Sequence, residues 1–180
     1  MKNIIFFLLS LIILSSCSNQ NNSNSKPQNS IIFSNDMENA ASVIPAWVNE
    51  STVNEGIAHS GKFAIMMDST REYSYSFQNL LNNINDKNPK RMVVSAWIFS
   101  TIPNPDASFV VGVDKEPGKY EFWQSGDIKT QVTKANEWTE ATWWVTFDKT
   151  MTPDSKISVM MWNPHKLKFY IDDMNITFEY

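Results

Sequence analysis

From Ile31 onward, short runs of β-branched and aromatic residues alternate with clusters of Asn, Asp, Ser, Gly and Pro. Turn signals fall at Asn35-Asp36, His59-Ser60-Gly61, Pro103-Asn104-Pro105-Asp106, Glu116-Pro117-Gly118 and Ser125-Gly126-Asp127. Between them the pattern predicts strands over Ile31–Ser34, Ala46–Asn49, Lys62–Asp68, Tyr73–Gln78, Arg91–Ser100, Ser108–Asp114, Tyr120–Gln124, Trp138–Phe147, Lys156–Asn163 and Leu167–Phe178. A helical turn is expected within Asn79–Asn88, and no other stretch sustains a 3.6-residue period. Strands punctuated every ~8–12 residues predict an all-β fold, a single jelly-roll β-sandwich of two antiparallel sheets.

Several of these strands are apolar on both faces. In Trp138–Phe147, Ala141, Trp143, Val145 and Phe147 share one side, and Thr142, Trp144 and Thr146 the other. In Lys156–Asn163, Ile157, Val159 and Met161 oppose Ser158, Met160 and Trp162. In Arg91–Ser100, Val94, Ala96 and Ile98 oppose Val93, Ser95, Trp97 and Phe99. One face of each strand packs the sandwich core. The other is either covered by loops or an open aromatic platform. Trp97, Trp138 and Trp143 are expected in the core, and Trp47 stays undecided.

The first sixteen residues differ in texture. Lys2 precedes an apolar run from Ile4 to Leu14, too short for a bilayer span of ~20 residues but suited to a secretory signal. The run ends in Leu14-Ser15-Ser16-Cys17, which resembles the lipobox of bacterial lipoproteins. That resemblance implies cleavage before Cys17 and acylation of Cys17, giving a membrane partner through a multi-chain lipid anchor. Ser18 after the cysteine implies, by the same likeness, the outer membrane, with periplasmic face and cell surface both open. Cys17 and the polar run to Ser30 are expected to form a tether, leaving 31–180 as the sandwich domain.

Composition narrows the partners. Fifteen Lys plus Arg against 19 Asp plus Glu, with no basic cluster, argue against nucleic acid. A single cysteine excludes a disulfide framework and multi-cysteine metal sites. Neither a nucleotide-binding glycine fingerprint nor a G-x-S-x-G nucleophile turn occurs among the five glycines, so no catalytic cofactor and no enzymatic role are expected. The seven tryptophans are the conspicuous resource.

Four stretches in order carry a family likeness: Asn35-Asp36-Met37-Glu38-Asn39, His59-Ser60-Gly61-Lys62-Phe63-Ala64-Ile65, Met92-Val93-Val94-Ser95-Ala96-Trp97-Ile98, and Trp138 followed by Tyr170-Ile171-Asp172-Asp173-Met174. Together they resemble the carbohydrate-binding jelly-roll modules of the cellulose- and xylan-binding type (CenC-like, galactose-binding-domain-like), here in a lipoprotein of Bacteroidota character. The likeness spans roughly Ile31 to Phe178, and Met37 stands where Phe is usual. It implies a structural calcium ion held by Asp36, Glu38, Asp172 and Asp173 with the backbone of Lys62. The alternative is that Asp172 and Asp173 merely satisfy loop amides.

Sugar rings present flat C–H faces that pack on Trp and Tyr, and hydroxyls that pair with Asp, Gln and Arg. Tyr120, Trp123, Gln124 and Asp127, with Trp144, Trp162 and Arg71, are therefore the candidate ligand contacts, and Tyr73 and Tyr75 could line the rim. The sequence reads as a non-catalytic glycan-binding lipoprotein domain whose partner is a polysaccharide or oligosaccharide. A structural or protein-interaction subunit of a cell-envelope assembly is the alternative.

Overall fold

The computed structural model describes residues 29–39 and 46–180. The expected signal segment 1–16, Cys17 and nearly all of the expected tether lie outside the described residues. Among the described residues, eleven strands form two antiparallel sheets. They are β1 (Ser30–Asn35), β2 (Trp47–Val48), β3 (Val53–Glu55), β4 (Phe63–Met67), β5 (Ser76–Leu80), β6 (Arg91–Ser100), β7 (Ser108–Glu116), β8 (Lys119–Asp127), β9 (Trp138–Thr146), β10 (Lys156–Trp162) and β11 (Phe169–Glu179), with a short 3-10 turn over Glu50–Thr52 and one α-helical turn, α1 (Leu81–Ile84).

One sheet runs β3-β4-β11-β6-β9, with β1 paired to the C-terminal part of β11; the other runs β2-β5-β10-β7-β8. This is the jelly-roll sandwich anticipated above. The expected strands all appear, with ends displaced by a few residues, and β3 is additional.

Period-two patterning sets the core. In β6, Met92, Val94, Ala96 and Ile98 are buried, and each intervening residue is half-buried. In the facing sheet, Phe109, Val111 and Val113 of β7 and Ile157, Val159 and Met161 of β10 are fully buried. Each large apolar side chain so removed from water contributes about 1.5–3 kcal/mol. Trp47 joins this core, packing on Tyr75 and Phe77 at centroid distances of 5.5 and 5.8 Å. Tyr75, a candidate for the rim, is 1% exposed and belongs to the core as well.

Two of the expected core tryptophans lie elsewhere. Trp97 and Trp138 sit on the outer side of the first sheet, where the His59 ring stacks on Trp97 at 3.9 Å and 10°. Strand parity separates two faces, but the β3–β4 loop supplies a cover for the outer one. Trp143 does point inward and packs half-buried against the core.

The β7–β8 hairpin positions the site. Pro117 and Gly118 reverse the chain, with Gly118 at φ 77°, a conformation that costs glycine nothing. Register shifts at Val113/Asp114 and Asp114/Glu116 follow, so Tyr120 falls opposite Asp114 and Trp123 opposite Gly112.

Candidate functional site

On the outer side of the sheet β2-β5-β10-β7-β8, the register brings an aromatic cluster together. Trp123 of β8, Gly112 and Val110 of β7, and Ser158, Met160 and Trp162 of β10 share this face. Tyr73 reaches it through an isolated bridge to Trp162. Tyr73, Tyr120 and Trp123 are 42%, 52% and 42% exposed, while Trp162 and Met160 are half-buried. Tyr120 and Trp123 meet edge to face at 4.8 Å and 64°. Such pairs contribute about 0.5–1.5 kcal/mol beyond burial and fix both rings.

Polar groups frame the rings. The Trp162 indole N–H donates to Glu72 Oε1 at 3.2 Å. Loss of solvent, then the Glu72 charge and the neighbouring Tyr120, raises the Tyr73 hydroxyl above the usual phenol range, keeping it a neutral donor. At the other end, Lys156 Nζ lies 3.8 Å from buried Asp114 Oδ2. Leu80, Asp114, Glu116, Pro117 and Lys156 line a hollow of about 200 Å³ there. Glu121 accepts from the amide and hydroxyl of Thr152 at 3.1 and 3.2 Å. The arrangement can stack a flat ring and exchange hydrogen bonds at its edges.

The candidate contacts divide between several places. Tyr120, Trp123 and Trp162 share the face just described. Asp127, opposite Ser108, is at its far end with Oδ1 accepting from the Lys129 amide at 2.8 Å. Gln124, opposite inward-facing Val111, leaves the sheet on the other side of β8 and is exposed along the edge. Arg71 donates to the carbonyls of Met66 and Ser51 at 3.0 and 3.1 Å, so its guanidinium ties loops together. Trp144 lies on the other sheet, opposite Val93, 57% exposed, with the Arg91 guanidinium 5.2 Å from its ring centre. One ligand cannot span Trp144 and Trp123, because the sandwich lies between them. Glu72 and Gly112 were not anticipated. The gap in an otherwise apolar strand was the only available sign for Gly112, and nothing in the sequence marked Glu72.

The residues implied for calcium gather at one corner of the first sheet, already engaged with hydrogen-bond donors. Glu38 Oε1 accepts from the amides of Lys62 and Phe63 at 2.7 and 2.8 Å. Asp172, fully buried, accepts from the amides of His59, Ser60 and Asp173 at 2.7, 3.0 and 2.8 Å. Burial raises its carboxyl above the ordinary range and those amides pull it back. Asp173 meets the His59 ring at 2.6 Å and the Ser60 hydroxyl at 2.7 Å. The Lys62 carbonyl accepts from the Gly56 amide at 3.0 Å, and Asp36 Oδ1 from the Glu38 amide at 3.2 Å. Calcium wants six to eight oxygens turned toward it. Among the described residues no three His, Cys, Asp or Glu side chains converge in that way. As arranged, the donor set does not fit the ion.

Solved structures share this architecture. The chain is similar to the CBM22-2 xylan-binding domain from Paenibacillus barcinonensis Xyn10C (TM-score 0.54, 14% identity, 81% of this chain and 98% of that one). The CBM22-1 xylan-binding domain of the same protein matches with a TM-score of 0.50 and 16% identity, over 81% of this chain and 92% of the other. The tandem of the two domains gives a TM-score of 0.54 at 14% identity, covering 87% of this chain and 47% of the tandem. At these identities the likeness establishes the jelly-roll fold. No protein-family model matches the sequence, and no curated protein matches it.

Proposed function

We propose that the outer face of the sheet β2-β5-β10-β7-β8 binds a polysaccharide or oligosaccharide, and that the chain is a non-catalytic glycan-binding lipoprotein. One observation carries the reading: Tyr73, Tyr120 and Trp123 are exposed on the same face of one sheet, beside Trp162 held by Glu72. Rigid aromatics on strands present contact area with little ordering entropy to lose on binding. The fold shared with domains described as xylan-binding supports the same reading.

Of the acids beside the rings, Asp114 faces Lys156, Glu121 holds Thr152 and Glu72 accepts from the Trp162 indole, which suits binding better than hydrolysis. Acylation at Cys17 would hold the domain at the outer membrane, on a tether that begins the mature chain. The protein-partner reading rests on a different observation, the exposed Trp144 on the opposite sheet.

Isothermal titration and affinity electrophoresis against xylan, mixed-linkage glucan, galactan and host glycans test the proposal. Binding to at least one of them, weakened about tenfold or more by Trp123→Ala, is expected; tenfold corresponds to about 1.4 kcal/mol. Absence of binding across the panel, or binding indifferent to Trp123, overturns it. Acylation is tested separately by metabolic labelling with a palmitate analogue, which Cys17→Ala must abolish.

A further inference from the structure

We infer that the corner joining β1, the β3–β4 loop and β11 is closed without a metal ion, the loop amides themselves serving as the positive partner of Glu38 and Asp172. The loop His59–Phe63 turns four backbone N–H groups outward in two pairs. His59 and Ser60 chelate Asp172 Oδ2; Lys62 and Phe63 chelate Glu38 Oε1. Successive N–H groups in a turn form a concave anion site. Here each of the two pairs is filled by a carboxylate of the same chain.

Gly61 between the pairs makes the wrap sterically feasible. Its φ is 59°, and a Cβ built there would meet the Glu38 carboxylate, with Oε2 only 2.7 Å away. A residue with a side chain would be strained and would push Glu38 from its amides. The Lys62 carbonyl already accepts from the Gly56 amide at 3.0 Å. Asp173 completes the closure by fixing the His59 ring, which in turn lies on Trp97. A cation approaching Glu38 Oε1 or Asp172 Oδ2 would have to compete with pairs of N–H groups already pointing at those oxygens. The N-terminal strand, the loop and the C-terminal strand are thereby joined by hydrogen bonds alone.

The test is thermal unfolding of the purified full-length chain in excess calcium chloride and in excess EDTA, with a calorimetric calcium titration alongside. The two melting temperatures should coincide and the titration should show no stoichiometric uptake. A resident ion at one hundred times its dissociation constant would instead raise the midpoint by about 5–10 °C. Gly61→Ala should lower the midpoint by several degrees, equally in calcium and in EDTA. Should that variant not fold, Glu38→Gln, which keeps an acceptor oxygen, should unfold at a temperature indifferent to calcium. A calcium-dependent rise in the parent chain, stoichiometric uptake, or a Gly61→Ala variant as stable as the parent would each overturn the inference.

Discussion

Gly112 of β7 lies directly opposite Trp123 of β8, and its missing side chain is what allows two platform rings to lie down on the sheet. A Cβ added at Gly112 would stand 2.9 Å from the Tyr120 ring and 3.0 Å from the Trp123 indole, closer than carbon atoms approach. Both rings would have to lift, and they hold each other edge to face. Gly112→Ala should therefore disturb the platform more than the core. Overpacking costs about 1–3 kcal/mol, so the melting temperature should fall by about 2–12 °C. Glycan affinity should fall at least as far as in Trp123→Ala. Titration and melting of the same preparation check both.

Glu72 is the positioning residue for Trp162. Its carboxylate is the acceptor that the indole N–H finds at 3.2 Å, and no other acceptor for that N–H occurs among the described residues. Removing it with Glu72→Ala frees the ring at a stability cost of about 0.5–1.5 kcal/mol or less, as for one partly exposed hydrogen bond. Glycan binding should weaken severalfold while the midpoint falls by about 6 °C at most. The same variant removes a negative charge beside Tyr73, so that phenol should ionise closer to its ordinary range. Ultraviolet titration of the tyrosinate band reports this shift directly. In the parent chain, Tyr73 ionises above the usual range, and its contribution to binding should stay constant from neutral pH to the ordinary phenol range.

Strand alternation carried much of this fold in readable form. The β6 run Arg91–Ser100 buries every second residue, and its ends match the expected ones. The three residues of β3, Val53–Glu55, gave no apolar run because the strand is held by pairing to β4, not by its own burial. Parity correctly sent Trp143 and Trp144 to opposite faces. What parity could not supply was the sheet to which each strand belongs, since that depends on pairings between distant segments. β8 and β9 follow one another in sequence yet end up as edges of different sheets. That single non-local fact separates Trp123 from Trp144. Trp97 and Trp138 lie outside the core by parity alone, opposite the buried Ala96 and Ile98 side of β6, and His59 covers Trp97.

Because Trp123 and Trp144 stand on opposite sheets, they should be separable by mutation. Trp144 is the more exposed, at 57% against 42%, and its contact is with Arg91, which Glu179 holds at 3.3 Å. Trp144→Ala should leave glycan titrations unchanged within error, whereas Trp123→Ala weakens them. Neither should shift the midpoint by more than a few degrees, since exposed side chains contribute little to stability. A Trp144→Ala variant with lost glycan binding would move the site to the other sheet. Retained glycan binding with loss of a crosslinked envelope protein would assign that sheet a separate protein partner.

Alkaline unfolding offers a test of the terminal packing. Tyr180 follows β11, and its amide donates to the Asn29 carbonyl at 3.0 Å, so the two described ends are joined. Burial raises its hydroxyl to about 12, against an ordinary phenol value near 10. The neutral form is thus favoured in the folded chain. Its contribution to stability is complete below pH ~10 and is lost as the pH rises through about 12. A two-unit shift corresponds to roughly 2–3 kcal/mol, an order-of-magnitude figure. Tyr180→Phe removes the ionisable group while keeping the ring. Its unfolding free energy should therefore fall less steeply than that of the parent between pH ~10 and ~12. Denaturant melts across that range decide the matter, and parallel slopes would place the Tyr180 hydroxyl in solvent.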